Sequence, residues 1–301
     1  MFSDRLIAIT SIGLDGEKID QITFMPKPRI TLQKGMLVAT AMECLSAWEA
    51  QATIIVHTGI ASALGEIVIL EVTKAGNGLV AGPSTVKEME ELIQMFSNLG
   101  VSKIFIDGAF SRLASSRLGD ALILVIGASY SHEMIKVVDH GETIVQKFRL
   151  PAVEPKYRFL EDCRKITGID AQGLRHQLDI DDQNKQNLFQ QSFDEIRQLF
   201  VPGAIGPMFA ESLIRNRNQI HFDLIIRDPA HLVVSGLLLK QLLSIKMGIM
   251  VLRPMNLVAI CYNPYSPTGY AFDENQFRSL LMKKMHAPLF NVGAESENEN
   301  E

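Results

Sequence analysis

The sequence predicts an α/β protein of mainly parallel sheets flanked by helices, with a polar helical connector between two α/β halves. Three observations carry that reading. The chain has 301 residues, 47% hydrophobic and 21% charged, the balance of a folded protein long enough for two modest domains. Residues 85–107 read as helix, tight turn and buried strand. Thr85 and Glu88 stand at capping-box spacing, and Met89, Leu92, Ile93, Phe96 and Leu99 share one helical face. Gly100 ends that face, and the apolar run 101–106 closes on Asp107-Gly108, giving the half-unit from which parallel sheets are built. The same alternation of strand and helix signals resumes past residue 203.

Residues 6–12 form an apolar run of β type that ends at Gly13-Leu14-Asp15-Gly16, and 35–40 form a second. Residues 41–50 read as a short helix and 52–57 as a strand. The runs 65–73 and 78–81 read as arms of a hairpin closed by Gly76-Asn77-Gly78, because glycine and asparagine supply the positive φ that tight turns need. A strand at 121–126 and a helix at 131–138 complete a first half over 1–150. Residues 151–202 are polar and rich in Gln and Asn, with a helical patch at 187–200, and read as the connector. The second half, 203–292, carries helices at 207–215, 235–246 and 274–285 and strands at 222–226, 249–252, 257–262 and 289–292. The acidic end, 293–301, is expected to fray.

A net charge of −5 offers no attraction for nucleic acid or an anionic membrane. The three cysteines, Cys44, Cys163 and Cys261, are far apart and form no CxxC pair, which fits a reducing compartment. The apolar stretches fall short of the roughly 20 residues that cross a bilayer, and 6–9 read as a first strand rather than a leader. The expected location is the cytoplasm.

No GxxxxGK[ST] phosphate loop, HExxH pair or GxSxG elbow occurs. Gly76-Asn77-Gly78-Leu79-Val80-Ala81 matches a relaxed GxGxxA but opens no helix, as a dinucleotide loop must. Two candidate positions for a ligand or Mg²⁺ site are Asp15 and Asp107. Each follows a predicted strand end, where ligands of parallel sheets bind and where a carboxylate can hold Mg²⁺ or its water. Either acid can equally be a turn residue. The segment 263–273 is a candidate partner-binding loop, with Asn263, Tyr265, Ser266, Gly269 and Tyr270 as its contact residues. Its prolines and glycine fix a rigid path after a strand, and a tightly packed structural corner is the equal alternative.

Four blocks carry a resemblance: Thr10-Ser11-Ile12-Gly13-Leu14-Asp15-Gly16-Glu17-Lys18-Ile19-Asp20; Lys34-Gly35-Met36-Leu37-Val38-Ala39-Thr40; Ala81-Gly82-Pro83-Ser84-Thr85 with Ile106-Asp107-Gly108-Ala109; and 263–273. In this order they resemble the KamB family, the reactivase subunits encoded alongside lysine 5,6-aminomutase and ornithine 4,5-aminomutase. The resemblance implies a non-catalytic accessory subunit of an ATP-dependent reactivase. Its partners would be a cobalamin-dependent aminomutase, which holds adenosylcobalamin, and a MutS-like ATPase, which turns over ATP. A homo-oligomer is compatible with that role. The implied fold is P-loop-like without a phosphate loop. The alternative is a divergent P-loop-related nucleotide or small-molecule binding enzyme with Asp15 and Asp107 at a Mg–phosphate site.

Overall fold

The computed structural model describes residues 6–12, 30–108, 119–178, 188–189 and 195–292. It divides the chain into two compact units, Met1–Leu118 and Gly119–Glu301.

The first unit is built on strands β1 (Ile7–Ser11), β2 (Ile30–Leu32), β3 (Leu37–Ala41), β4 (Gln51–Ser62), β5 (Gly65–Lys74), β6 (Gly76–Gly78) and β7 (Lys103–Asp107), with helix α1 (Val86–Asn98). Five of them form a sheet in the order β4-β5-β3-β1-β7. β1 pairs in parallel with β3 and β7, whereas β5 runs against β3 and β4 against β5. α1 lays Met89, Leu92 and Phe96 on one face of this sheet, over Ala8, Leu37, Ala39, Ile67 and Ile69. The opposite face is closed by Leu32, Val38, Val72 and Val80, with Trp48 packed against them. β4 is an edge strand of twelve residues with no Asp, Glu, Lys or Arg, and its pairing with β5 is broken by three register shifts.

The second unit carries strands β8 (Leu122–Gly127), β9 (Thr167–Asp170), β10 (Arg175–Gln177), β11 (Ile196–Val201), β12 (Asp223–Ile226), β13 (Ile249–Val251), β14 (Leu257–Asn263) and β15 (Leu289–Asn291). Its helices are α2 (Met134–Phe148), α3 (Pro207–Arg215), α4 (Gly236–Ser244) and α5 (Glu274–Met285). One sheet runs β10-β9-β11-β12-β13, with β11, β12 and β13 parallel and β9 and β10 antiparallel. α3 and α4 cover one side of it, and Tyr157, Leu160, Ile169, Phe200 and Ile225 cluster on the other. A separate sheet, β15-β14-β8, is parallel throughout.

The α/β class stands, but five expectations need correction. The two large sheets are mixed rather than mainly parallel, because the β4–β5 hairpin and the β9–β10 pair bring antiparallel strands into them. The described residues give a P-loop-like plan no support: α1 is entered from β6, a piece of a small two-stranded sheet with β2. Gly76-Asn77-Gly78 is not a hairpin turn but that strand itself. A Cβ on Gly76 would lie 2.6 Å from Ala50 N, and one on Gly78 would lie 2.7 Å from the Leu32 side chain, so both glycines serve close packing. The real turn is at Ser62–Gly65, where Ser62 Oγ donates to Gly65 O at 2.7 Å.

The fourth correction concerns 151–202. Its described part holds a 3-10 helix, Pro155–Asp162, and then β9, β10 and β11. Residues 196–201 match a helical period, but Leu199, Phe200 and Val201 are all buried, which a strand lying inside a sheet allows and a one-sided helix does not. Tertiary pairing overrides the local pattern. β7 also differs from the buried strand expected at 101–106. It is an edge strand whose Lys103, Phe105 and Asp107 are exposed. The expected fraying end, 293–301, lies outside the described residues.

Candidate functional site

The predicted positions that the structure describes lie at strand ends, one group in each unit. In the first unit, Asp107 is the last residue of β7, in register with Ser11, and its carbonyl accepts from Ile12 N at 2.8 Å. Its side chain is exposed. Asp15 lies outside the described residues. Around this edge, segments distant in sequence are tied together. Thr10 Oγ1 donates to Ala39 O at 3.1 Å, Ala81 N to Thr40 Oγ1 at 2.9 Å, and Ala41 N to Ala81 O at 2.9 Å. Gly82 then crosses so near to β1 that a Cβ there would lie 1.9 Å from Ser11 O. Only glycine admits that approach.

Three residues on, Thr85 caps α1. Its hydroxyl accepts from Glu88 N at 3.3 Å, and the Glu88 carboxylate accepts from Thr85 N at 3.1 Å and from the Thr85 hydroxyl at 2.8 Å. The start of α1 is therefore already supplied with an anion of its own. Among the described residues, no group of three or more His, Cys, Asp and Glu side chains is placed to hold a metal ion.

In the second unit, the candidate loop is a small hairpin at the carboxyl end of β14. Asn263 Oδ1 accepts from Tyr265 N at 2.9 Å, Ser266 N donates to Tyr270 O at 2.8 Å, and Gly269 turns the chain at φ +90°. Phe272 N returns to Pro264 O at 2.9 Å, and Asp273 caps α5 by accepting from Gln276 N at 2.7 Å. The Tyr270 phenol donates to Ala128 O, just past β8, and its ring stacks on His132 with centroids 4.0 Å apart. Tyr130 stacks on His140 of α2 at 4.2 Å. Burial holds the His140 imidazole below its ordinary 6.5, and the Lys147 ammonium adds to the depression.

The five predicted loop residues divide by role. Asn263, Ser266, Gly269 and Tyr270 build the corner, whereas Tyr265 stands exposed on its arm, bridged to Ala271. Sequence reasoning missed Tyr130, His132 and His140, whose spacing matches no ligand motif. For Tyr130 and His132 the usable signal was their place just after a predicted strand, at 121–126; His140 lies farther on, in α2. The result is a rim of phenols and imidazoles at the carboxyl ends of β8 and β14, rich in the residue type that interfaces concentrate. No helix among the described residues is long and apolar enough to cross a membrane. No family model, no curated protein and no solved structure gives a significant match to this chain.

Proposed function

We propose that this chain is the non-catalytic accessory subunit of an ATP-dependent reactivase for an adenosylcobalamin-dependent aminomutase. In this reading adenosylcobalamin belongs to the aminomutase and ATP to a MutS-like ATPase partner. The observation that carries it is the placement of the resemblance blocks. Parts of the first three meet at the β1–β3–β7 edge, through Thr10, Ala39, Thr40, Ala81, Gly82 and Asp107, and the fourth is the hairpin that presents Tyr265. The α1 start is filled by Glu88, which favours a subunit that leaves phosphate chemistry to its partner over a Mg–phosphate enzyme built on Asp15 and Asp107.

A dead cofactor leaves a mutase faster only if some factor stabilises an open state that holds it less well, and an ATP cycle must reset that factor. This chain would supply the differential contacts. The test is recovery of an aminomutase inactivated by turnover. Full recovery is expected only with ATP, fresh adenosylcobalamin, the ATPase and this chain together. Equal recovery without this chain removes it from the mechanism. ATP turnover by the chain alone that survives repurification and vanishes in Asp107→Asn returns the Mg–phosphate enzyme.

A further inference from the structure

Asn77-Gly78 is the one Asn-Gly pair in the sequence, and the packing of β6 explains why it stands there. A Cβ on Gly78 would lie 2.7 Å from the Leu32 side chain and 3.0 Å from Trp48 Cε2, so the fold requires glycine after Asn77. Asn77 itself is held on several sides. Its Nδ2 donates to Glu49 Oε2 at 3.0 Å, and its Oδ1 accepts from Thr31 Oγ1 at 3.1 Å. Its carbonyl accepts from Glu49 N at 2.8 Å and from Ala50 N at 3.2 Å. An amide suits both side-chain partners, since it donates to the carboxylate and accepts from the hydroxyl at once.

Asparagine followed by glycine is also a reactive pair, because the glycine carries no side chain to shield its nitrogen. The Gly78 nitrogen can attack Asn77 Cγ. A C–N bond forms, the Cγ–Nδ2 bond breaks, and ammonia leaves with the proton from Gly78 N. Water then opens the five-membered imide at either carbonyl, to aspartate or to isoaspartate. Ring closure needs the side-chain amide free to turn and the chain at Asn77 free to leave the extended strand. The bonds to Glu49 and Thr31 and the β2–β6 register deny both. We propose that Asn77 is a site of spontaneous deamidation, kept silent by this clamp and released when the β2–β6 pair opens. The products cannot rebuild the clamp. Aspartate sets a carboxylate against that of Glu49, where like charges repel, and isoaspartate lengthens the backbone and loses the register with β2. Each opening that leads to reaction is recorded as a permanent negative charge.

The test follows amide loss at Asn77 in the full chain by peptide mass spectrometry, with isoelectric focusing to read the negative charge added to −5. In mildly alkaline buffer the chain unfolded in guanidinium should convert at Asn77, and the folded chain should convert at least roughly tenfold more slowly, at the rate of local opening. Thr31→Val and Glu49→Ala each remove one arm of the clamp. Each should speed the folded chain by roughly three- to tenfold and leave the unfolded rate unchanged. A folded wild type that converts as fast as the unfolded chain overturns the proposal, as do clamp variants with an unaltered folded rate. A second measurement reads the product. Asn77→Asp should lower the thermal midpoint followed by the fluorescence of Trp48, the chain's one tryptophan. Adding Glu49→Gln moves the amide to the other side of the same bond and should restore most of that loss. A loss that Glu49→Gln leaves in place means that like charge is not its cause, and rejects the clamp.

Discussion

Single residues show where local chemistry was readable. Thr85 and Glu88 announced the start of α1, but nothing in sequence marks His286, which ends α5 at φ +43° in the left-handed region. Arg149 donates to the carbonyls of Met285 and His286, so the backbone there is held while the side chain only adds strain. His286→Gly should raise stability by about 0.5–1 kcal/mol, read as a higher thermal midpoint. His140 supplies a pH test. Its imidazole is held below 6.5, first by burial and then by Lys147. A depressed value means that stability is full above pH 6.5 and falls as the pH drops through the folded value. Proton NMR should find the His140 midpoint below 6.5, moving partway back in Lys147→Met because burial remains. Lys147 is itself buried, lowered by desolvation, with Val234 O at 3.3 Å as its hydrogen-bond acceptor. The same variant should therefore be no less stable than the wild type.

Among elements, helices with an explicit start were legible and strands in context were not. α3 and α5 lie where proline and aspartate placed them, and α1 starts directly after its expected cap Thr85 and ends at Asn98, with Leu99 as its C-cap before Gly100. Thr85→Ala should cost about 1 kcal/mol, measured by denaturant midpoint, since it removes a cap acceptor and half of the reciprocal pair with Glu88. Strand type failed for a physical reason. The apolar run 101–106 reads the same whether its partner strands lie on one side or both, and only the sheet order places β7 at an edge with Phe105 exposed. In the same way Gly76 and Gly78 advertise a turn, whereas contacts with Ala50, Leu32 and Trp48, all more than 25 positions away, make them strand residues.

At the scale of the whole chain, each unit closes its own core. Phe96 sits in the α1 cluster of the first unit and Phe209 in the α3–α4 cluster of the second. Calorimetric unfolding should accordingly depart from two-state behaviour, with a van't Hoff enthalpy below the measured one. Phe96→Ala and Phe209→Ala should each lower a different transition, by about 3–5 kcal/mol for a buried phenylalanine. The convergence of Thr10, Thr40, Ala81 and Asp107 belongs to this scale too. Strand ends were readable one at a time, so Asp107 was found. Which ends become neighbours depends on the order β3-β1-β7, and local periodicity does not encode that order.

The edge strand β4 carries a further consequence. Twelve residues with no Asp, Glu, Lys or Arg, and with no partner on one side among the described strands, would ordinarily be a template on which other chains grow as amyloid-like stacks. Here the safeguard is geometric rather than electrostatic. The extra residue at Ile55, the positive φ of Gly59 and the bond from Gly59 N to Glu66 Oε1 at 2.9 Å break the straight register that a growing fibre needs. Protection of this edge therefore rests on a crooked strand. A change that straightens β4, even one that improves its pairing with β5, would trade folding yield for aggregation.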